Sequence, residues 1–152
     1  MCHGCGEEFF DILGGLRPSL KFYGVAPYDS IMELVDEKDR LDRKKHFNGK
    51  KVRIGGFFQI FKKNQCCVAC GLKGTQFILL DRTVRPGEPK ALLPLLCADN
   101  FVLLTIDHII ARSRGGPNTF DNYQTMCWNC NRDKGSMDFQ EYMAKQTGRF
   151  VV

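Results

Sequence analysis

The stretch that decides the fold lies between two cysteine pairs, which read CVAC at residues 67–70 and CWNC at residues 127–130. Each C-x-x-C places two thiolates on one side of a tight turn, so the two pairs together can surround one tetrahedral ion. The predicted zinc ligands are Cys67, Cys70, Cys127 and Cys130. Four thiolates leave no coordination position open, and this zinc is therefore expected to be structural. Cys66 is an alternative to Cys67, at a less usual spacing from Cys70.

The residues between the pairs, and those that overlap and follow the second pair, carry groups suited to phosphodiester hydrolysis. Residues 106–110 read IDHII and residues 130–135 read CNRDKG. His108 can take a proton from water near neutral pH. Asp107 and Asn131 offer hard oxygen ligands for Mg²⁺ or Mn²⁺. Because Asp107 and His108 are adjacent on a predicted strand, their side chains should point in opposite directions, and a twist or bulge is expected there.

These motifs resemble the HNH nuclease family, whose common form reads D-H-I-x-P, then G-G, N-L and C-x-x-C-N-x-x-K-G. The resemblance covers residues 67–135, and the intervals from His108 to Asn122 and from Asn122 to Asn131 have the family's spacing. The same positions resemble the HNH domain of CRISPR effectors and small stand-alone HNH proteins of phages. Two departures are Ala111, where a proline is common, and Asn131, where the third named residue is histidine.

The resemblance implies an α+β protein with a ββα-metal (His-Me finger) core, a structural four-cysteine zinc site and an inserted β-hairpin. It implies a metal-dependent endonuclease that hydrolyses DNA phosphodiester bonds. His108 would be the general base, and Asp107 and Asn131 would hold a single Mg²⁺ or Mn²⁺ that stabilises the leaving oxygen. Asn122 would brace the loop that holds His108 in place.

Two alternatives stay open at this point. The same scaffold could serve a catalytically silent, zinc-bound DNA-binding or packaging-accessory protein, although the intact Asp107, His108 and Asn131 argue against it. A toxin-like nuclease with an immunity partner is a further alternative, but no translocation region accompanies the motifs. The sequence is compatible with a monomer or a homodimer.

The basic charge is concentrated before the first cysteine pair. Residues 38–63 hold ten Lys/Arg and two Asp/Glu, whereas residues 1–37 hold two and seven. The candidate phosphate contacts in this basic segment are Lys44, Lys45, Lys50 and Lys51; further candidates are Arg112, Arg114 and Lys134. Clustered lysines can bind nucleic acid, and a solvated face is the alternative. We therefore divide the chain into a DNA-holding extension, residues 1–63, and a zinc-stapled nuclease domain, residues 64–152.

The composition excludes several classes of protein. Hydrophobic residues make up 43% and charged residues 26% of the chain, which disfavours global disorder. No apolar run approaches the roughly 18 residues of a membrane span, and no secretory signal is visible, so a reducing cytoplasm is expected, that of the host cell if a phage encodes the protein. Cys2, His3 and Cys5, with His46 as a distant partner, leave a second metal site open.

Secondary structure before the first cysteine pair is predicted as follows. Residues 1–28 form an irregular arm. A helix over residues 31–46 begins with a capping box at Ser30 and is broken by Asn48-Gly49. The apolar segment that follows, residues 52–61, is either helical or extended.

The elements after the first pair are mainly short strands. They cover residues 76–80, 91–97 and 101–107, the last two joined in a hairpin by residues 98–100. Residues 111–121 form a loop, and residues 123–126 pair back as a strand. A short helix runs from about Trp128 to Gly135. A last helix is capped by Ser136, buries Phe139, Tyr142 and Met143, and ends at Gly148.

Overall fold

The computed structural model describes residues 20–36, 43–82 and 91–149. The strands are β1 (Leu20–Pro27), β2 (Arg43–Phe47), β3 (Lys50–Ile54), β4 (Gln76–Arg82), β5 (Ala91–Cys97), β6 (Leu104–His108) and β7 (Tyr123–Cys127). The helices are α1 (Tyr28–Met32), α2 (Phe58–Lys63), α3 (Trp128–Lys134) and α4 (Phe139–Arg149). Short 3-10 turns lie at Arg112–Arg114 and Phe120–Asn122. The protein is a mixed α+β structure, as predicted.

Five strands form one sheet in the order β1-β4-β5-β3-β2. Only β3 and β5 run parallel, and the other described pairs are antiparallel. The sheet is curled. Two strands separate β3 from β1, yet Nζ of Lys50 on β3 lies only 5.4 Å from the ring centroid of Tyr23 on β1. Strands from both sides of residue 64 therefore share this sheet.

Both faces of the sheet carry buried apolar side chains. Val52, Phe77 and Leu96 belong to the larger cluster, which also contains Ile31 of α1 and Phe58 of α2. On the opposite face, a smaller buried cluster consists of Ile78, Leu80, Cys97 and Leu103, with Trp128 packed against it. This second cluster joins the sheet to the part of the chain that contains α3. Removal of these side chains from water is the main stabilising term for both contacts.

The predicted helix over residues 31–46 is wrong in extent. Helix α1 ends at Met32, and residues 43–47 are strand β2; residues 37–42 lie outside the described residues. Asn48 and Gly49, with φ angles of 47° and 75°, form the two-residue turn that pairs β2 with β3. Asn-Gly prefers this left-handed geometry, which matches the twist of a hairpin, and its pairing overrides the helical pattern. Ser30 lies inside α1 and donates its hydroxyl to Pro27 O.

Three other predictions change. Residues 20–27 of the predicted arm are strand β1, paired with β4, and residues 1–19 lie outside the described residues. Residues 52–61, predicted as either helical or extended, contain both: the end of strand β3 and the start of helix α2. The hairpin predicted between β5 and β6 is reduced to one bridge, Cys97 to Leu103, because β6 leaves the sheet to pair with β7.

The strands β6 and β7 and the helix α3 form the unit that carries the candidate catalytic residues. Their pairing and the stop of α3 before Gly135, with a φ of 55°, confirm the predictions for this region. Helix α4 buries Tyr142, as predicted, but begins at Phe139. The Ser136 cap is therefore wrong, and Asp138 O accepts the first bond, from Tyr142 N–H. No helix among the described residues is long and apolar enough to cross a membrane.

Candidate active site and cysteine cluster

The four predicted cysteines meet in space. The Sγ atoms of Cys67, Cys70, Cys127 and Cys130 all lie within 4.8 Å of one another, and Cys70 Sγ is 3.7 Å from Cys127 Sγ. Tetrahedral zinc with Zn–S bonds of about 2.3 Å separates its sulfur ligands by about 3.8 Å. The cluster could therefore hold a metal ion such as zinc. Cys66 lies outside this group and forms a strand bridge with Lys73.

The first pair is anchored to the second through strand β7. Val68 N–H donates to Thr125 O at 3.0 Å, and Thr125 Oγ1 donates to Asn64 O at 2.6 Å. Gly71, with a φ of 79°, turns the chain back so that its N–H reaches Cys67 O at 2.9 Å. These contacts hold the Cys67–Cys70 turn against strand β7.

Burial changes the acidity of the thiols in the cluster. Burial raises the pKa of Cys127 to about 11 and also raises the pKa of Cys130. Burial opposes ionisation of Cys67 as well, but hydrogen bonds from the backbone of Cys127, Cys70 and Ala69 lower its pKa overall. Because zinc binds thiolates, loading the cluster at neutral pH must release protons.

Strand β6 and helix α3 are in contact, and each carries one of the two candidate metal ligands: Asp107 of β6 contacts α3, and Asn131 of α3 contacts β6. Asp107 is buried; its Oδ1 is 3.1 Å from Lys134 Nζ, and its Oδ2 accepts from Gln124 Nε2 at 3.0 Å. Asn131 Nδ2 donates to Thr105 Oγ1 at 2.7 Å. That bond uses the amide nitrogen and not the oxygen, the atom that a hard cation would bind. The donor chemistry of Asp107 and Asn131 thus fits a divalent ion, although Lys134 already compensates the carboxylate's charge.

His108 ends strand β6 on the side away from Asp107. The β6–β7 register runs without a shift, with Asp107 opposite Gln124 and His108 opposite Tyr123. Of the expected twist or bulge, the bulge is therefore wrong, and the two side chains alternate as in a regular strand. His108 Nε2 is 2.9 Å from Asn118 Oδ1, and its ring meets the Tyr123 ring edge-on with centroids 5.0 Å apart. Since an amide oxygen only accepts, Nε2–H donates this hydrogen bond, and in a neutral imidazole Nδ1 is then the acceptor.

Asn122 ties together both ends of the loop that follows His108. Its Nδ2 donates to Ile110 O at 3.1 Å and to Pro117 O at 3.0 Å, and its Oδ1 accepts from Ile110 N–H at 2.9 Å. The backbone adds a bond from Ile109 N–H to Asn122 O. Gly116 is required in the same loop, because a Cβ there would lie 1.9 Å from Ile110 O. The geometry is that of a loop brace, the role expected for Asn122.

The His108, Asn122 and Asn131 positions, at these spacings and beside a cysteine pair, can be compared with known families. Residues 95–137 match the family model of the HNH endonuclease. We call these residues the HNH segment. The match indicates a nuclease-type, metal-dependent function on DNA. Comparisons with curated proteins and with solved structures found no match.

The predicted phosphate contacts fall into separate places. Arg112 is exposed in the loop that follows His108, and exposed Arg114 of the same loop pairs with Glu141 and lies 3.8 Å from Asp138. Lys134 is only 2% exposed and is bound to Asp107, which differs from the solvent-facing position expected for it. Lys44, Lys45, Lys50 and Lys51 lie on the β2–β3 hairpin of the five-stranded sheet, outside the HNH segment. Cys2, His3 and Cys5 lie outside the described residues.

Sequence reasoning missed three residues of the HNH segment that contact the candidate catalytic groups. They are Thr105, Gln124 and Asn118. A signal existed for the first two: Thr105 shares a strand face with Asp107, and Gln124 is its cross-strand neighbour once residues 104–108 are paired with residues 123–127. For Asn118, nothing but its place in the loop pointed to the His108 ring.

Proposed function

We propose that this protein is a zinc-stapled HNH endonuclease with a ββα-metal core that hydrolyses phosphodiester bonds of DNA. The observation that carries the proposal is the placement of His108. Its ring, at the end of β6, contacts Tyr123 of β7 and Asn118 on the loop that Asn122 braces, within the segment that the HNH family model matches. The similarity to phage proteins and the host-cell location stay predictions.

His108 acts in this proposal as the general base. With Nε2–H donated to Asn118, the lone pair of Nδ1 can take a proton from the attacking water. The water oxygen then bonds to phosphorus as the bond to the leaving oxygen breaks. Tyr123 and Asn118 limit rotation of the imidazole, so that the base keeps one orientation through the reaction.

Asp107 and Asn131 would hold a single Mg²⁺ or Mn²⁺ in the proposed enzyme. Bound there, the ion would supply positive charge next to the oxygen that leaves the phosphorus. The fold positions both ligands in advance: the Asp107 carboxylate is buried, and the Asn131 side chain is held by its hydrogen bond to Thr105. Lys134 of α3 holds the Asp107 carboxylate in place through the contact between its Nζ and Oδ1.

The cysteine cluster is proposed to bind one structural zinc. A closed four-thiolate site leaves no coordination position for substrate, and the cluster joins the first cysteine pair to β7 and α3. Residues 1–63 are proposed to hold the DNA while residues 64–152 cut it. A monomer would nick one strand in each event, and a homodimer could cut both.

A catalytically silent, zinc-bound DNA-binding or packaging-accessory protein is the second candidate. Two observations favour it: Asp107 and His108 alternate to opposite sides of β6, and the Asp107 carboxylate, needed as a metal ligand, is already neutralised by buried Lys134. Removing an ammonium from such a pair costs free energy that metal binding would have to exceed.

Cleavage of supercoiled plasmid separates the two candidates. The nuclease should convert the plasmid to nicked circles with Mg²⁺ or Mn²⁺ and not without added divalent metal. His108→Ala should lower the rate by at least about a hundredfold, the lower range of general-base effects, while the exposed Gln140→Ala on α4 leaves it unchanged. Wild-type protein that binds plasmid but does not nick it with either metal would favour the silent scaffold.

A further inference from the structure

The hairpin β2–β3 separates its basic side chains onto two faces. Lys44 lies directly opposite Arg53, and His46 lies directly opposite Lys51. Opposed residues of an antiparallel pair share a face, and so do residues two apart on one strand. Lys44, His46, Lys51 and Arg53 therefore form a two-by-two array on one face, which we call the outer face.

The other face of the hairpin belongs to the apolar core. Val52 and Ile54 are buried in the larger cluster, and Phe47 packs against it. Lys45 is paired with Val52, and Lys50 is paired with Phe47, so both lysines project from this core face. Lys50 also lies over the Tyr23 ring. Lys45 and Lys50, two of the four lysines predicted to contact phosphate, therefore lie on the core face of the hairpin.

The outer face adjoins the HNH segment. Arg53 lines an apolar cavity of about 460 Å³ together with Phe57 and Ile106. Ile106 alternates with Asp107, so it lies on the same side of β6 as His108. Phe57 meets the Tyr123 ring edge-on at 5.2 Å, and Tyr123 in turn contacts His108. Arg53 thus lines the same cavity as Phe57, and ring contacts lead from Phe57 through Tyr123 to the proposed general base.

The four members of the array are all basic, and like charges oppose each other within it. Arg53 lies opposite Lys44 across the strands, so two cationic side chains share this part of the outer face. A phosphate backbone supplies a row of anions at an extended surface. The charge of the outer face and its connection to His108 both favour this occupant.

We propose that Lys44, His46, Lys51 and Arg53 form the surface that binds the DNA phosphate backbone while the HNH segment cuts. The inference rests on the proposed function, since it names the surface by which that nuclease holds its substrate. Lys45 and Lys50 are excluded from this surface. Binding through it does not depend on base sequence, because phosphates carry no sequence information.

Two double variants with equal loss of charge test the proposal. Lys44→Gln/Lys51→Gln removes two cations from the outer face, and Lys45→Gln/Lys50→Gln removes two from the core face. Removal of one cation that touches a phosphate should flatten the plot of log affinity against log salt concentration by about 0.9. We expect the outer-face variant to flatten it by about 1.8 and the core-face variant to leave it nearly unchanged, with duplex DNA and no added divalent metal.

The charge-retaining variant Lys44→Arg/Lys51→Arg should keep the wild-type salt dependence. Equal slopes for the two Gln variants, or an unchanged slope for the outer-face variant, would overturn the proposal. Melting curves check that all three variants fold, and the Arg variant supplies the comparison if the Gln variant unfolds. Plasmid nicking by wild-type protein is measured separately: its absence with Mg²⁺ and Mn²⁺ refutes the nuclease, whereas nicking with indistinguishable slopes refutes only the binding surface.

Discussion

Lys134 Nζ lies 3.1 Å from Oδ1 of Asp107, and the two side chains are only 1% and 8% exposed. The pair joins helix α3 to strand β6 at the centre of the HNH segment. Buried charges are costly to remove from water, and they persist where each compensates the other. The contact therefore fixes how the helix carrying Asn131 sits on the strand that ends at His108.

Lys134→Met should lower the free energy of unfolding by about 3 to 5 kcal/mol, because it leaves the Asp107 carboxylate buried and unpaired. Denaturant titration measures the change. The exposed Lys145→Met on α4 is the control and should shift stability by less than about 0.5 kcal/mol. The double variant Lys134→Met/Asp107→Leu should recover much of the loss; equal losses in the single and double variants would contradict the ion pair.

Loss of one cluster thiolate should destabilise the fold. Cys127→Ser should release the metal and lower the free energy of unfolding by several kcal/mol, on the order of a structural zinc contribution. Cys66→Ser, one position before the first ligand and outside the cluster, should keep one zinc per chain. Metal analysis and thermal melting report both outcomes. A metal-free wild type with an unchanged melting curve would rule out a structural zinc.

Asn122→Ala removes three side-chain hydrogen bonds to the loop after His108. Because it leaves partly buried backbone groups of Ile110 without these partners, we expect a loss of about 1 to 2 kcal/mol and slower plasmid nicking with zinc retained. The exposed Asn129→Ala on α3 is the matched control. Wild-type nicking by Asn122→Ala would show that the brace is dispensable.

Stability at alkaline pH should depend on Cys97. Burial raises the pKa of this thiol from 9.0 to about 11, so between these values the folded chain keeps a proton that the unfolded chain loses. The unfolded state is then favoured as pH rises. From pH 8 to pH 10, wild-type protein should lose about 1 kcal/mol more stability than Cys97→Ala. Parallel losses in the two proteins, measured by denaturant unfolding, would contradict this.

The parts of the site that depend on local spacing could be predicted from the sequence. The two cysteine pairs and the return of β7 onto β6 follow from short motifs and alternation, and the cysteines do meet. Strand β2 could not be predicted from the sequence, because Lys44 and Lys45 suit the end of a helix as well as an edge strand. Its state is decided by pairing with β3, which a local pattern does not contain.

The same limit applies to Lys134. Its position after Asn131 gave no sign of burial, since lysine is almost never buried unless it is paired. Its partner, Asp107, lies 27 residues away in the chain, and only the docking of α3 on β6 brings them together. The role of Asn118 was hidden for the same reason, because it depends on how the loop folds back over the His108 ring.

The separation of the cysteines along the chain also has a kinetic consequence. Cys70 and Cys127 are 57 residues apart, and β3 needs a parallel partner, β5, that follows 40 residues later, as the pairing of Lys51 with Ala91 shows. Contacts of this kind close long loops before they gain any stabilisation, and they slow folding. During synthesis, moreover, no ribosome-bound chain holds a complete cluster until Cys130 has been added. The candidate nuclease core can therefore assemble only after both cysteine pairs have been synthesised.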